Sequence, residues 1–412
     1  MTRLCELREL HRVTYENGMI MQEFLVAARQ RDEIADQLLL LEHPPVITLG
    51  RGGRIQHLLA TDDRLRDSGV RFYETTRGGD ITYHGPGQLV GYPILHLGEG
   101  NRDVRKLVWR IEEVLIRTAA ELGIVAQRVE GRRGIWVGDQ KLAAIGVRIA
   151  RWVTSHGFAL NLTTDLRAFD LITPCGLEGT GVTSIRELTG YPVTRGEITP
   201  LLTRHFAEVF EREVEPRDDV FPIVKVLPHD GQRVLLLERT REKGAFWQPV
   251  TGRMEGGETV EQAAARELAE ETGCAGVMTP LPPRQSFLIE GRYLPELGVP
   301  WVFADERTFA ARLSAARPPG RATSGSLASH PTPHAARDDA ASRHAGGAAR
   351  YPVRLAPEEH LRYGWFTLSE AREKIRGSND RESLDSLERM IQQTRREVRE
   401  GAAAGGPLPA MD

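Results

Sequence analysis

Disulfides, long apolar runs and strong net charge are all missing from this chain. Three cysteines in 412 residues, Cys5, Cys175 and Cys274, are too few and too widely spaced for a disulfide framework and suit a reducing compartment. No stretch has the apolar length of a membrane span, and charged residues near Met1 stand where a signal peptide needs an apolar core. A cytoplasmic location is therefore expected. The formal net charge of −3 gives no global pull toward nucleic acid or anionic lipid, so neither is expected as a partner. Lysine is scarce as well: Lys106, Lys141, Lys225, Lys243 and Lys374 are the only ones among 54 basic residues. Lysine can give up a proton in a protein and arginine cannot, so each of the five is a candidate for proton chemistry.

What is present suffices for two cores. An amphipathic stretch near 20–36, an apolar run Leu38–Leu41, a turn and strand at His43–Gly50, a helical pattern at Val108–Leu122, and short strands at Gly134–Val137, Lys141–Ile149 and Gly157–Leu162 predict an α/β domain with a mixed sheet over 1–213. A charged, proline-containing stretch predicts a linker at 214–219. A second domain is expected over 220–398, with strands at Ile223–Leu227, Arg233–Glu238 and near 285–312, and a closing helix at about 381–399. Within it, 314–350 is an Ala/Arg/Ser/Gly/Pro-rich tract expected to be a disordered insertion, as is the tail 399–412. His330, His334 and His344 in that tract read as compositional rather than as zinc ligands.

The first domain carries a thiol constellation. Cys175 lies in Ile172-Thr-Pro-Cys-Gly-Leu, where Pro and Gly predict an exposed turn. A thiol there becomes nucleophilic if positive charge lowers its pKa; otherwise it is a small core filler. Lys141 enters an apolar strand with small residues behind it, where a cation is poorly solvated, although a strand-edge lysine facing water fits the same pattern. Arg77-Gly-Gly-Asp-Ile-Thr-Tyr-His-Gly-Pro-Gly-Gln88 is a glycine-dense loop whose backbone lets a substrate approach closely.

The second domain carries Gly252, Glu258 and Arg266-Glu-Leu-Ala-Glu-Glu-Thr-Gly-Cys274 at fixed spacing. Thr259 with Gln262 predicts a capping box and Gly273 a helix end. Glu267, Glu270 and Glu271 then share a helix face. Their mutual repulsion is relieved by a hard divalent cation, which can also clamp a pyrophosphate.

Taken in order, Glu42-His-Pro-Pro-Val-Ile-Thr-Leu-Gly-Arg51, the Arg77–Pro93 segment, Lys141-Leu-Ala-Ala-Ile-Gly146, His156-Gly-Phe-Ala-Leu-Asn161 and Thr173-Pro-Cys-Gly-Leu resemble the lipoate-protein ligase B family of octanoyltransferases, over about residues 5–213. The resemblance implies a biotin/lipoate-ligase-like fold. It implies that Cys175 takes octanoyl from octanoyl-acyl carrier protein and passes it to a lysine of a lipoyl domain, in 2-oxoacid dehydrogenases or the glycine cleavage H protein, with Lys141 assisting and no cofactor. The acyl pocket would be Arg77, Gly78, Gly79, Asp80, Ile81, Thr82, Tyr83, His84, Ala144, Ile145, Gly146, Gly157, Phe158 and Ala159. An ATP-dependent lipoate ligase is the alternative on this fold.

The carboxylate helix resembles the Nudix box, with Cys274 in place of the final aliphatic residue, and implies an α/β/α sandwich over about 220–398. Leu235-Leu-Leu-Glu-Arg239, Ala245–Gly252 and Glu359-His-Leu-Arg-Tyr-Gly-Trp365 resemble the dihydroneopterin triphosphate pyrophosphohydrolase branch. That implies Mg²⁺ or Mn²⁺ on Glu267, Glu270, Glu271 and Glu359, with Arg239 and Thr251 touching a nucleotide or pterin triphosphate. A nucleotide-binding module without hydrolysis is the alternative.

Overall fold

The computed structural model describes residues 3–173, 181–241, 244–290, 299–313, 353, 355 and 359–403, without the side chains of 398–403. Cys175, Lys243, the tract 314–350 and the end of the tail from 404 lie outside the described residues. The chain divides into two units, Met1–Pro222 with Pro283–Glu306, and Ile223–Pro282 with Arg307–Asp412. Among the described residues no helix is long and apolar enough to cross a membrane.

The first unit opens with β1 (Arg3–Arg12), α1 (Tyr15–Gln30), β2 (Asp36–Glu42), β3 (Val46–Leu49), α2 (Asp62–Asp67), β4 (Arg71–Glu74), β5 (Ile81–His84) and β6 (Gln88–Ile94). It continues with α3 (Val104–Ala120), β7 (Gln127–Val129), β8 (Arg132–Val137), β9 (Gln140–Ala150), β10 (Val153–Asn161), β11 (Gly181–Val182), α4 (Ile185–Thr189), α5 (Arg195–Phe210) and β12 (Arg212–Pro216). Strands run in the order β1-β2-β6-β10-β9-β8-β7, with β4-β3-β5 as a small separate sheet. β1 and β2 are parallel while β2 and β6 are antiparallel, so the sheet is mixed.

The leucine run shows why the sheet is a middle layer. Leu38 and Leu40 join the core beneath α3 and α5, whereas Leu39 and Leu41 join the core beneath α1 with Met21 and Leu25. Successive side chains in a strand point to opposite faces, so an unbroken apolar run belongs to a strand covered on both. Helix α1 starts earlier than its hydrophobic pattern because Thr14 caps it, accepting from the Asn17 N–H. It ends at Gln30, short of the expected end at residue 36, where β2 begins.

Two boundaries differ from expectation. Residues 214–216 of the expected linker belong to β12, which pairs in parallel with β1 from Arg3↔Arg212 to Leu7↔Pro216. Charge and a proline suit such a strand end, because its outer groups meet solvent. Residues Pro283–Glu306, expected in the second domain, group with the first unit. Phe303 enters the α1-side core and the Ser286 hydroxyl accepts from the His11 N–H at 2.9 Å.

The second unit holds most of β13 (Val220–His229), β14 (Arg233–Arg239), β15 (Trp247–Gln248), β16 (Val250–Arg253) and α6 (Val260–Thr272), then parts of β17 (Gly276–Glu290) and β18 (Trp301–Leu313). It ends with β19 (His360–Thr367), α7 (Leu368–Lys374) and α8 (Ser378–Ala403). β13 pairs with β16 and β14, and β14 with β19, all antiparallel. Helix α8 continues to residue 403, past the expected start of the tail at 399. Ala263, Ala264 and Leu268 of α6 pack with Val226, Leu235 and Val250, and α7 and α8 supply Ala371, Leu384 and Leu387 to a second core.

Candidate functional site

In the first unit a cavity of about 360 Å³ opens between β5, β6, β9 and β10. That size lies in the range of roughly 300–1,000 Å³ usual for small-molecule pockets. Of the expected acyl-pocket residues, Arg77, Gly79, Asp80, Ile81, Thr82, His84, Ala144, Ile145, Gly146, Gly157, Phe158 and Ala159 line it, together with Lys141. Gly78 and Tyr83 do not. Tyr83 packs instead edge-on to Phe169, ring centroids 5.4 Å apart, in a small separate core. Gly78 instead docks the loop, its N–H donating to the Val147 carbonyl at 3.0 Å.

The cavity wall is made by backbone approach. A Cβ on Gly146 would come within 2.7 Å of the Gly78 carbonyl oxygen, and one on Gly157 would overlap the Gly91 carbonyl. The glycine-dense loop can therefore lie directly on β9. Arg77 is buried there and held by Thr48, with Nη2 donating to the Thr48 carbonyl at 2.6 Å and to its hydroxyl at 2.9 Å.

Buried histidines complete the lining. His43 Nδ1 lies 2.5 Å from the Val13 carbonyl and must donate to it, so Nε2 accepts from Tyr92 at 2.6 Å. Burial pushes His43 down to about 4. Burial, with His43 and Arg77 nearby, lowers His84 to about 3, and burial with Arg77 lowers His156 to about 3. All three are neutral near pH 7. His156 has a positive φ of 56°, costly for a side chain with a Cβ, and Gln22 accepts its N–H at 2.5 Å.

A hydrogen-bonded line joins this wall to Lys141. His84 Nδ1 donates to Gln88 at 2.8 Å, Gln88 to Asn161 at 2.9 Å, Asn161 to the Thr183 carbonyl at 2.9 Å, and the Thr183 N–H to the Lys141 carbonyl at 3.0 Å. Lys141 is buried, its ammonium 4.7 Å from the centre of the Trp136 ring. Val182, shortly after Cys175 in sequence, is its register partner in β11. Before Cys175, the Thr173 N–H donates to the His57 carbonyl at 2.7 Å. Cys5 and Cys274 are buried with thiols raised chiefly by burial, so both are inert core residues. Lys225 is buried too, in an ion pair with Asp380 at 2.7 Å.

In the second unit Thr259 and Gln262 form both halves of the capping box and Gly273 ends α6 at φ 67°. A Cβ on Gly252 would overlap the Glu267 carboxylate, which is why that position is glycine. Arg266 gathers Glu258 at 2.8 Å, Glu267 at 2.9 Å and Glu270 at 3.0 Å, and donates to the Arg253 carbonyl at 2.7 Å. Arg266 holds Glu258 below the usual carboxylate range, while burial pushes Glu267 up against the pull of Arg266.

The four expected metal-binding carboxylates do not gather at one point. Glu271 and Glu359 come together and His360 joins them, with ligand atoms all within 4.8 Å of one another. Glu270 is 58 % exposed on the Arg266 side. Arg239 lies 3.9 Å from Glu359, and Thr251 accepts from Gln248 at 3.3 Å. Glu271 is buried, and its Oε2 has no hydrogen-bond partner among the described residues. A bare buried carboxylate oxygen beside a second carboxylate fits a divalent cation.

Sequence reasoning passed over Tyr15, Val90, Tyr92 and His156 as cavity residues and His360 as a cluster member. Val90, Tyr92 and His156 lie within the motif segments and His360 beside Glu359, so that was their signal; for Tyr15 there was none.

Residues 14–207 match the lipoyl protein ligase A/B catalytic domain family and residues 216–325 the NUDIX domain. The octanoyltransferase of Myxococcus xanthus is 42% identical over 298 residues, covering 70% of this chain and 84% of that one. That of Solibacter usitatus is 52% identical over 214 residues, 52% of this chain and 96% of its own. Among solved structures, a lipoate-protein ligase A bound with ATP is 16% identical with a TM-score of 0.43, covering 53% of this chain and 90% of that one. The E. coli dihydroneopterin triphosphate pyrophosphohydrolase is 22% identical with a TM-score of 0.28, covering 40% and 95%.

Proposed function

Because the chain belongs to the octanoyltransferase family and carries a NUDIX domain, we propose that it transfers octanoyl through Cys175 and Lys141 and hydrolyses a phosphate anhydride at the Glu271 cluster. Its partners in the first reaction are acyl carrier and lipoyl domains in general; octanoyl-acyl carrier protein, 2-oxoacid dehydrogenase lipoyl domains and glycine cleavage H protein are the specific ones proposed.

The single observation carrying the transfer reading is the cavity bounded by Lys141 and floored by Val90, Ile145, Phe158 and Ala159. Its apolar floor suits an alkyl chain, and Lys141 at its edge suits a thiolate and a moving proton. The Cys175 thiolate attacks the thioester carbonyl, and the carrier thiol leaves with a proton from Lys141. The acceptor lysine amine then attacks the octanoyl-Cys175 thioester, the C–S bond breaks, the amide forms, and Lys141 takes the amine proton. The donor is already a thioester, so no ATP is needed, and the octanoyltransferase relatives make the ATP-dependent ligase the weaker alternative. The test is mass spectrometry after mixing with octanoyl-acyl carrier protein. An octanoyl group mapped to the Cys175 peptide is expected, and its absence under conditions that support transfer overturns the role.

For the second domain, Nudix chemistry uses a divalent metal, and Mg²⁺ or Mn²⁺ is the proposed ion. Glu271 and Glu359 would hold it; when bound it would neutralise charge on a pyrophosphate. Arg266 holds Glu267 and Glu270 in ion pairs of its own, and Arg239 would meet substrate phosphate. A nucleotide or pterin triphosphate is the proposed substrate. Release of pyrophosphate from such a substrate, lost in Glu271→Gln, tests this reading.

A further inference from the structure

His360 stands out among the groups that the two activities leave unexplained. Its side chain is fully buried, and neither ring nitrogen has a hydrogen-bond partner among the described residues. Nε2 faces Glu271 Oε1 at 3.4 Å, in a position that satisfies no hydrogen-bond geometry. A buried imidazole normally has at least one nitrogen bonded. Its place in the fold is fixed, because His360 opens β19 opposite Arg239 of β14, and the Glu359 carbonyl accepts from the Thr240 N–H at 3.1 Å.

Two ligand atoms that each lie about 2.1 Å from one ion are separated by roughly 3.0–3.4 Å at octahedral to tetrahedral angles. The His360–Glu271 separation is at the upper end of that span. A shared ion would therefore engage the Glu271 carboxylate, whose Oε1 stands 3.4 Å from Nε2 and whose Oε2 is bare, together with a bare imidazole nitrogen, which the pair cannot do for each other.

We infer that His360 is a nitrogen ligand in the metal site of the second domain and that it turns the site's preference from Mg²⁺ toward first-row transition-metal ions. The inference rests on the divalent-metal reading of Glu271 and Glu359 given above. Mg²⁺ favours an all-oxygen shell, whereas imidazole binds transition ions with affinity rising from Mn²⁺ to Co²⁺.

The test uses the untagged full chain and the metal ions alone. Pulsed electron paramagnetic resonance of bound Mn²⁺ should show coupling to a directly bound ¹⁴N nucleus in the wild type and lose it in His360→Ala. Co²⁺ affinity should fall at least about tenfold in that variant and Mg²⁺ affinity by less than about twofold. His330, His334 and His344 remain in every variant, so any background they contribute cancels. If His360→Ala loses its thermal unfolding transition, the size-matched His360→Gln and the wild-type resonance spectrum decide instead. Bound Mn²⁺ without nitrogen coupling in the wild type, or an unchanged Co²⁺ to Mg²⁺ affinity ratio in the variants, overturns the inference. Glu271→Gln separates the levels: if it abolishes metal binding while His360 changes do nothing, only the ligand role fails. If Glu271→Gln binds Mn²⁺ like the wild type, the metal site itself fails.

Discussion

The two sites are built from opposite materials. The first-unit cavity is shaped by backbone meeting backbone, with Gly146 and Gly157 leaving no room for a Cβ and three histidines kept neutral by burial. The second-unit site is shaped by charge, with Arg266 binding three carboxylates and leaving Glu271 to Glu359 and His360. A pocket for an alkyl chain depends first on exact shape, whereas a pyrophosphate site depends first on charge. The first should fail when volume changes and the second when charge changes.

The largest expected effect is chemical. Cys175→Ala should lower octanoyl transfer by about a thousandfold or more, since no covalent intermediate can form. Next, Glu271→Gln should lower metal-dependent pyrophosphate release by at least about a hundredfold, measured with the same preparation. A volume change sharpens the contrast: Gly157→Ala should destabilise the first unit by roughly 1–3 kcal/mol, because its Cβ meets the Gly91 backbone rather than a movable side chain. Chemical denaturation checks this, and an unchanged midpoint contradicts the packing account.

Acid is the broadest probe. His43, His84 and His156 titrate at about 4, 3 and 3 in the fold against about 6.5 when unfolded. The unfolded chain then binds more protons between those values, so the stability they allow is complete above pH 6.5 and declines as pH falls toward 3. At pH 5 the loss is at most about 2 kcal/mol per histidine. Melting temperatures compared at pH 7.5 and pH 5 should fall in acid, and His43→Gln should fall less.

Legibility followed locality. Helix α6 was readable to its caps, because Thr259, Gln262 and Gly273 act on their own neighbours. The Arg77–His84 loop was readable from its glycines, and the strand of Leu38–Leu41 from its unbroken apolar run. Tyr83 was assigned to the pocket because a motif names a run of residues, while its ring packs with Phe169 in a separate core. His43 and Tyr92, 49 positions apart, meet through a single hydrogen bond that no local pattern announces. His360 was overshadowed by the carboxylates, although a histidine beside a candidate ligand carries its own ligand chemistry. Of the linker expected at 214–219, only 214–216 fall in β12, because composition records solvent exposure and says nothing of the β1 edge that Arg212–Pro216 covers.

The claim that ties these observations together is that one chain holds two chemically independent active sites. Its direct test measures octanoyl transfer and metal-dependent pyrophosphate release side by side in Cys175→Ala and Glu271→Gln. The account predicts that each substitution removes one activity and leaves the other within about twofold of wild type. Loss of both activities from either substitution would contradict it.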